Sequence, residues 1–201
     1  MRTVIYIHGK DGSPAEAARF QPFFPEDAVL GLTYRAAAPW EARSEFPGAF
    51  DTLCTPDRPV ILIANSIGAF LAMYALADKL IERAFFISPI VDMEQLIANM
   101  LHYAGETEDT LREKQVIPTD FGETLSWEYL TYIREHPIEW HIPTHILYGG
   151  RDDLTAPDTM SAFAKRIGAA LTVMPDGEHW FHTEQQMQFL DGWLRKCLAV
   201  G

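Results

Sequence analysis

Apolar runs long enough for a strand but too short for a helix recur along this chain, with longer helical stretches between them. Thr3–Ile7 (TVIYI) and Val60–Ala64 (VILIA) are β-branched and apolar at nearly every position. That is the pattern of strands buried on both faces, since a half-exposed strand would alternate apolar with polar. Arg83–Ser88 (RAFFIS), stopped by Pro89, and Thr144–Tyr148 (THILY), stopped by Gly149-Gly150, repeat it. Val29–Tyr34 and Ala170–Met174 are weaker strand candidates. Ile67–Leu80 is rich in Ala, Leu and Met and predicts a helix, as do Phe46–Leu53 before Pro56, Pro157–Ile167 and the amphipathic Thr183–Leu198. Ser13 is placed to cap a helix beginning at Pro14. Strands separated by helices require crossover connections, and so predict an α/β fold: a three-layer α/β/α sandwich around a mostly parallel sheet of about six strands.

One stretch breaks the alternation. From Asp92 to Trp140 no strand is evident, and Met93–Ala104, Asp109–Val116 and Ser126–Glu135 read as helices. This predicts a core of residues 1–91 and 141–201, with 92–140 as a helical insertion lying over the strand ends. The insertion holds 11 acidic and 3 basic residues, a net of −8, so most of the chain's formal charge of −12 sits there.

That acidity changes the list of partners. An acidic surface repels phosphate backbones and anionic membranes, so neither nucleic acid nor a membrane is expected as a partner. At 201 residues one domain is expected. The apolar run after Arg2 is too short for a signal peptide, no stretch approaches a membrane span, and a cytoplasmic setting is expected. Cys54 and Cys197 form neither a disulfide framework nor a paired metal-ligand spacing. No cofactor and no metal are expected. The oligomeric state is left open.

The candidate chemistry begins at Ala64-Asn65-Ser66-Ile67-Gly68, a small-x-Ser-x-small turn between the strand VILIA and the following helix. Such a bend exposes a serine hydroxyl at the strand's carboxyl edge and at the positive end of the helix, as a nucleophile requires. The plainer alternative is an ordinary helix cap. A base for that hydroxyl is offered by His179 in Gly177-Glu178-His179-Trp180-Phe181-His182, between the last strand and the last helix. His182 is the rival base, and the His179-x-x-His182 spacing alone is weak evidence for a metal. An acid to orient the imidazole is expected at the end of THILY, where Asp152 is preferred. Asp153 and, one strand earlier, Asp92 remain open. An oxyanion site would take its backbone N–H groups from Ile67, after the nucleophile, and from Lys10, after His8-Gly9 at the end of the first strand.

The segments IHGKDGSP, LIANSIGAF, ILYGGRDDLT and GEHWFHT, in that order and each after an expected strand, resemble the α/β-hydrolase superfamily, in particular its small bacterial members with a helical cap. The resemblance spans nearly the whole chain. It implies Ser66, Asp152 and His179 as nucleophile, acid and base. Two departures from larger members are expected: no N-terminal antiparallel strands ahead of TVIYI, and Ala64 where many have glycine. In such folds the cap shapes the substrate pocket. Trp127, Tyr129 and Phe121 are its candidates here, beside Tyr132, Tyr103, Leu101 and Met100. The expected substrate is a small molecule, a neutral ester with a small to medium apolar acyl group, cleaved through an acyl-enzyme. Two alternatives stand beside this carboxylesterase reading. One is a non-catalytic ligand-binding protein on the same fold. The other is thioester, amide or C–C bond hydrolysis on the same triad.

Overall fold

The computed structural model describes residues 2–55 and 58–199. The chain divides into two compact units, Met1–Val91 with Glu139–Gly201, and Asp92–Ile138.

In the first unit six strands form one sheet: β1 (Thr3–Ile7), β2 (Ala28–Gly31), β3 (Val60–Asn65), β4 (Arg83–Ile87), β7 (Thr144–Gly149) and β8 (Ala170–Met174). Their order is β2-β1-β3-β4-β7-β8 and every pairing is parallel. The register places Val4 beside Ile61, Ile63 beside Phe85, and Ile87 beside Leu147, so one row of side chains runs across the sheet. That row packs with Ala17, Phe20, Leu190, Trp193 and Leu194, contributed by a 3₁₀ segment (Pro14–Phe23) and by α7 (Glu184–Ala199). The opposite row, Ile5, Ile7, Leu62, Ala64 and Phe86, is equally buried, with α2 (Ile67–Ala75) set against Ile7. α1 (Pro39–Leu53) and α6 (Pro157–Ile167) are the remaining helices among the described residues of this unit. Because central strands are shielded on both faces, their sequences are continuously apolar.

Several elements differ from the sequence reading at their ends. The second strand lies at Ala28–Gly31, earlier than Val29–Tyr34. The first long helix starts at Pro39, where proline's fixed φ suits a first turn. Pro56, expected to end it, lies outside the described residues; the helix stops at Leu53. α2 stops at Ala75 rather than Leu80, because Leu76 leaves helical geometry and the Lys79 N–H turns back onto its carbonyl. Ser13 does cap the Pro14 segment, reciprocally with Glu16.

The second unit holds α3 (Met93–Tyr103), α4 (Glu108–Lys114) and α5 (Trp127–Glu135), capped by the side chains of Asp92, Thr107 and Ser126. The expectation of no strand there is corrected. β5 (Val116–Pro118) and β6 (Thr124–Ser126) form an antiparallel hairpin. Ile117 and Leu125 pair and are buried while the residues facing solvent alternate with them. Three residues per strand are too few for a period-2 pattern to stand out in sequence. Gln115, at φ 65°, ends α4 and so frees Val116 for the strand. Arg134 of α5 bonds Glu94 of α3 at 2.8 Å and Glu108 of α4 at 2.6 Å, tying the three helices together. Among the described residues no helix is long and apolar enough to cross a membrane.

Candidate active site

β3 ends in a sharp bend at Ser66, which takes φ 50° and ψ −122°. A non-glycine residue at positive φ costs about 1–3 kcal/mol and persists where its surroundings enforce it. Here the Ser66 N–H bonds the Ile87 carbonyl at 3.0 Å, and the Ser66 carbonyl accepts from Ala69 at 3.1 Å and Ile90 at 3.3 Å. Gly68 opens α2 against β1, and a Cβ there would overlap the His8 carbonyl oxygen, so the turn needs smallness at this position. The Ser66 side chain makes no capping bond to α2, which removes the ordinary-cap alternative.

The hydroxyl reaches elsewhere. Ser66 Oγ lies 2.8 Å from His179 Nε2, and His179 Nδ1 lies 2.7 Å from Asp152 Oδ2. An ionised carboxylate only accepts, so the Nδ1 proton donates to Asp152 and Nε2 is left to accept from Ser66. The Asp152 side chain is fully buried. Its other oxygen accepts the backbone N–H groups of Leu154 at 2.8 Å and Thr155 at 3.2 Å. A buried charge is tolerable only with such partners. Tyr148 closes the turn from behind by donating its hydroxyl to the Thr155 carbonyl at 2.6 Å. Burial, and then the Asp152 charge, push that phenol up to about 12, so it remains a donor.

The loop bearing His179 is seated on the neighbouring turn. The Arg151 N–H donates to the Gly177 carbonyl at 2.8 Å, and a Cβ on Gly149 would strike the carbonyls of Gly177 and Glu178. Its far end is fixed by a reciprocal cap unnoticed in the sequence: Gln186 Oε1 accepts from the Thr183 N–H, and Thr183 Oγ1 from the Gln186 N–H, both at 3.3 Å. Gln186 also accepts from the His182 N–H at 3.0 Å and donates to Glu178 at 3.1 Å. The signal was present as Thr183-x-x-Gln186, the capping-box spacing.

His182, Asp92 and Asp153 are the rival candidates. His182 stacks on Trp180 at 4.6 Å and hydrogen-bonds the Trp180 carbonyl at 2.8 Å. Asp92 caps α3 through the Gln95 N–H at 2.9 Å. Asp153 is exposed and does not cap α6, whose cap residue is Ala156. Burial pushes the Cys54 and Cys197 thiols up, the wrong direction for a thiolate nucleophile. On the oxyanion side, a Cβ on Gly9 would lie 3.2 Å from Ser66 Cβ, so the Gly9-Lys10 backbone passes directly by the hydroxyl-bearing residue. Ile67 begins α2. The pocket candidates Trp127, Tyr129 and Phe121 belong to the second unit. Trp127 and Tyr129 are half-buried on α5, and Phe121 is exposed at the hairpin turn.

No protein-family model matches the sequence, and no curated protein matches it. Solved structures do. The mouse alpha/beta hydrolase domain-containing protein 10 superimposes with a TM-score of 0.77 at 15% identity, over 98% of this chain and 89% of that one. The protein has the α/β-hydrolase fold. Est1E from Butyrivibrio proteoclasticus matches this α/β-hydrolase-fold chain with a TM-score of 0.75 at 16% identity, over 98% of it and 87% of Est1E. A thioesterase domain from the curacin biosynthetic pathway matches with a TM-score of 0.59 at 15% identity, over 96% and 94%.

Proposed function

We propose that the protein is a serine hydrolase of carboxylic esters, with Ser66 as nucleophile, His179 as general base and acid, and Asp152 as the group that orients the imidazole. The observation that carries the reading is the continuous relay Ser66–His179–Asp152 at 2.8 and 2.7 Å. Its residues come from the ends of three different strands. That solved structures of the same fold include an esterase and a thioesterase domain supports hydrolysis in general.

In this mechanism His179 Nε2 takes the Ser66 proton as Oγ attacks the ester carbonyl carbon. Asp152 stabilises the imidazolium that results. The N–H groups of Ile67 and Lys10 hold the negative oxygen of the tetrahedral intermediate. The C–O bond to the alcohol then breaks, the imidazolium delivers its proton to the departing oxygen, and the acyl group stays on Ser66. Water attacks that acyl carbon, giving its proton to Nε2, and release of the acid returns the proton to Oγ.

Steady-state hydrolysis of p-nitrophenyl acetate and butyrate tests this reading, with Ser66→Ala as the control. Turnover by the parent that vanishes in the variant is the expected result; turnover unchanged in Ser66→Ala overturns it. Parallel assays with acyl thioesters distinguish a thioesterase, the reading favoured by the curacin-domain neighbour.

A further inference from the structure

Behind the segment that passes Ser66 lies a side chain with no part in the relay. Tyr34 follows β2, and its ring stacks on the His8 imidazole at 4.4 Å and 19°. Its hydroxyl donates to the His8 carbonyl at 2.7 Å. Tyr34 is itself held: Phe46 of α1 meets it edge-on at 4.9 Å, and Glu45 accepts from the Arg35 and Ala36 N–H groups at 3.0 and 2.8 Å. Burial, followed by the charges of Glu16 and Glu45, pushes the phenol up to about 12. It therefore stays a donor across the range in which esters are assayed.

His8 passes the constraint on. Its Nδ1 lies 2.8 Å from the Gly9 carbonyl oxygen. A carbonyl only accepts, so Nδ1 carries the proton in this bond. The Gly12 N–H donates to the same oxygen at 3.2 Å. A trans peptide is planar with C=O and N–H opposed, so fixing the direction of the Gly9 carbonyl fixes the direction of the Lys10 N–H. The His8 carbonyl, gripped by the Tyr34 hydroxyl, also abuts Gly68 of the nucleophile turn.

We propose that Tyr34 is a positioning residue for the oxyanion site: it clamps His8 by ring and hydroxyl, and His8 in turn aims the Gly9–Lys10 peptide at the oxygen of the tetrahedral intermediate. The inference rests on the hydrolase reading given above. It assigns Tyr34 an effect on the transition state with none on ground-state binding.

Tyr34→Phe removes one oxygen and keeps the stacked ring. With p-nitrophenyl butyrate, kcat falls about 10-fold while KM stays within about twofold, as expected when a donor is misaimed but not deleted. Affinity for a trifluoromethyl ketone, which presents an oxyanion once Ser66 adds to it, falls by the same factor as kcat. Phe50→Leu, a packing change on α1, lowers the melting temperature and leaves kcat and ketone affinity unchanged. Should Tyr34→Phe fail to fold, His8→Ala carries the same prediction, kcat and ketone affinity falling together at constant KM. The inference is overturned if the variant keeps parental kcat, if KM alone rises, or if Phe50→Leu lowers kcat as much. A parent that hydrolyses the ester beside an unaltered Tyr34→Phe sinks the inference alone. A parent that neither hydrolyses esters nor reacts with a fluorophosphonate sinks the hydrolase reading and the inference with it.

Discussion

Ser66 and His179 stand 113 positions apart in the chain and 2.8 Å apart at Oγ and Nε2. One is carried by a strained bend after β3, the other by a loop after β8, and two strands lie between β3 and β8 in the sheet. Parallel strands make the meeting natural, because all their carboxyl ends emerge at the same edge. Ser66→Ala and His179→Ala are each expected to lower kcat at least about 10³-fold, since relay members act as a unit. Circular dichroism melts should show both variants folded; a kcat near that of the parent in either would contradict the assignment.

The acid is tested by contrast. Asp152→Asn keeps the shape of the side chain but loses the charge that fixes the imidazole tautomer, and kcat is expected to fall by about 10³–10⁴. Asp92→Asn leaves kcat unchanged, because asparagine caps a helix about as well as aspartate and Asp92 serves the Gln95 N–H. The reverse outcome in a side-by-side assay would move the acid to Asp92.

Gly149→Ala probes how the base is seated. Its methyl would be driven into the Gly177 and Glu178 carbonyls, backbone of the loop that carries His179. Overpacking of this kind costs about 1–3 kcal/mol. A depressed urea midpoint together with lost turnover is the expected result, and an unaltered midpoint would show that the loop yields.

The sheet contains a pH-dependent element separate from the site. His145 lies within β7, stacked on Phe85 at 5.5 Å. Burial, and then the Arg83 charge, hold its pKa below the ordinary histidine value of 6.5. The unfolded chain therefore binds this proton at a pH where the folded chain does not. The stability that His145 contributes is present above the unfolded value and is lost as pH falls through the folded one. His145→Gln is expected to show a shallower acid-side decline in melting temperature than the parent between pH 7 and pH 5. Parallel declines would remove His145 from the account.

Much of this was legible in sequence because buried parallel strands advertise themselves. TVIYI and VILIA have no polar face, and Ser66, with small residues two positions to either side, follows the second of them directly and marks the strand-to-helix bend. His179 was legible from its place between the last strand and the last helix. The acid was preferred at Asp152 but left open to Asp153 and Asp92, because only the folded chain shows which carboxylate meets His179 Nδ1, and that is Asp152 at 2.7 Å. What escaped notice depended on few residues or on distant meetings. The hairpin of Val116–Pro118 and Thr124–Ser126 offers one buried side chain per strand, too little for periodicity. The α2 end at Ala75 was hidden by helix-forming residues that continue past it. Tyr34 carries no local motif, since its importance arises where β2's exit meets His8.

Covalent labelling reads out whether Ser66 carries an activated hydroxyl. Incubation of the folded protein with a fluorophosphonate, followed by intact-mass and peptide-mapping spectrometry, should show one adduct, on Ser66, absent from Ser66→Ala and greatly slowed in His179→Ala. A folded parent protein that takes no adduct, or takes it on another residue, would show that Ser66 is not an activated nucleophile.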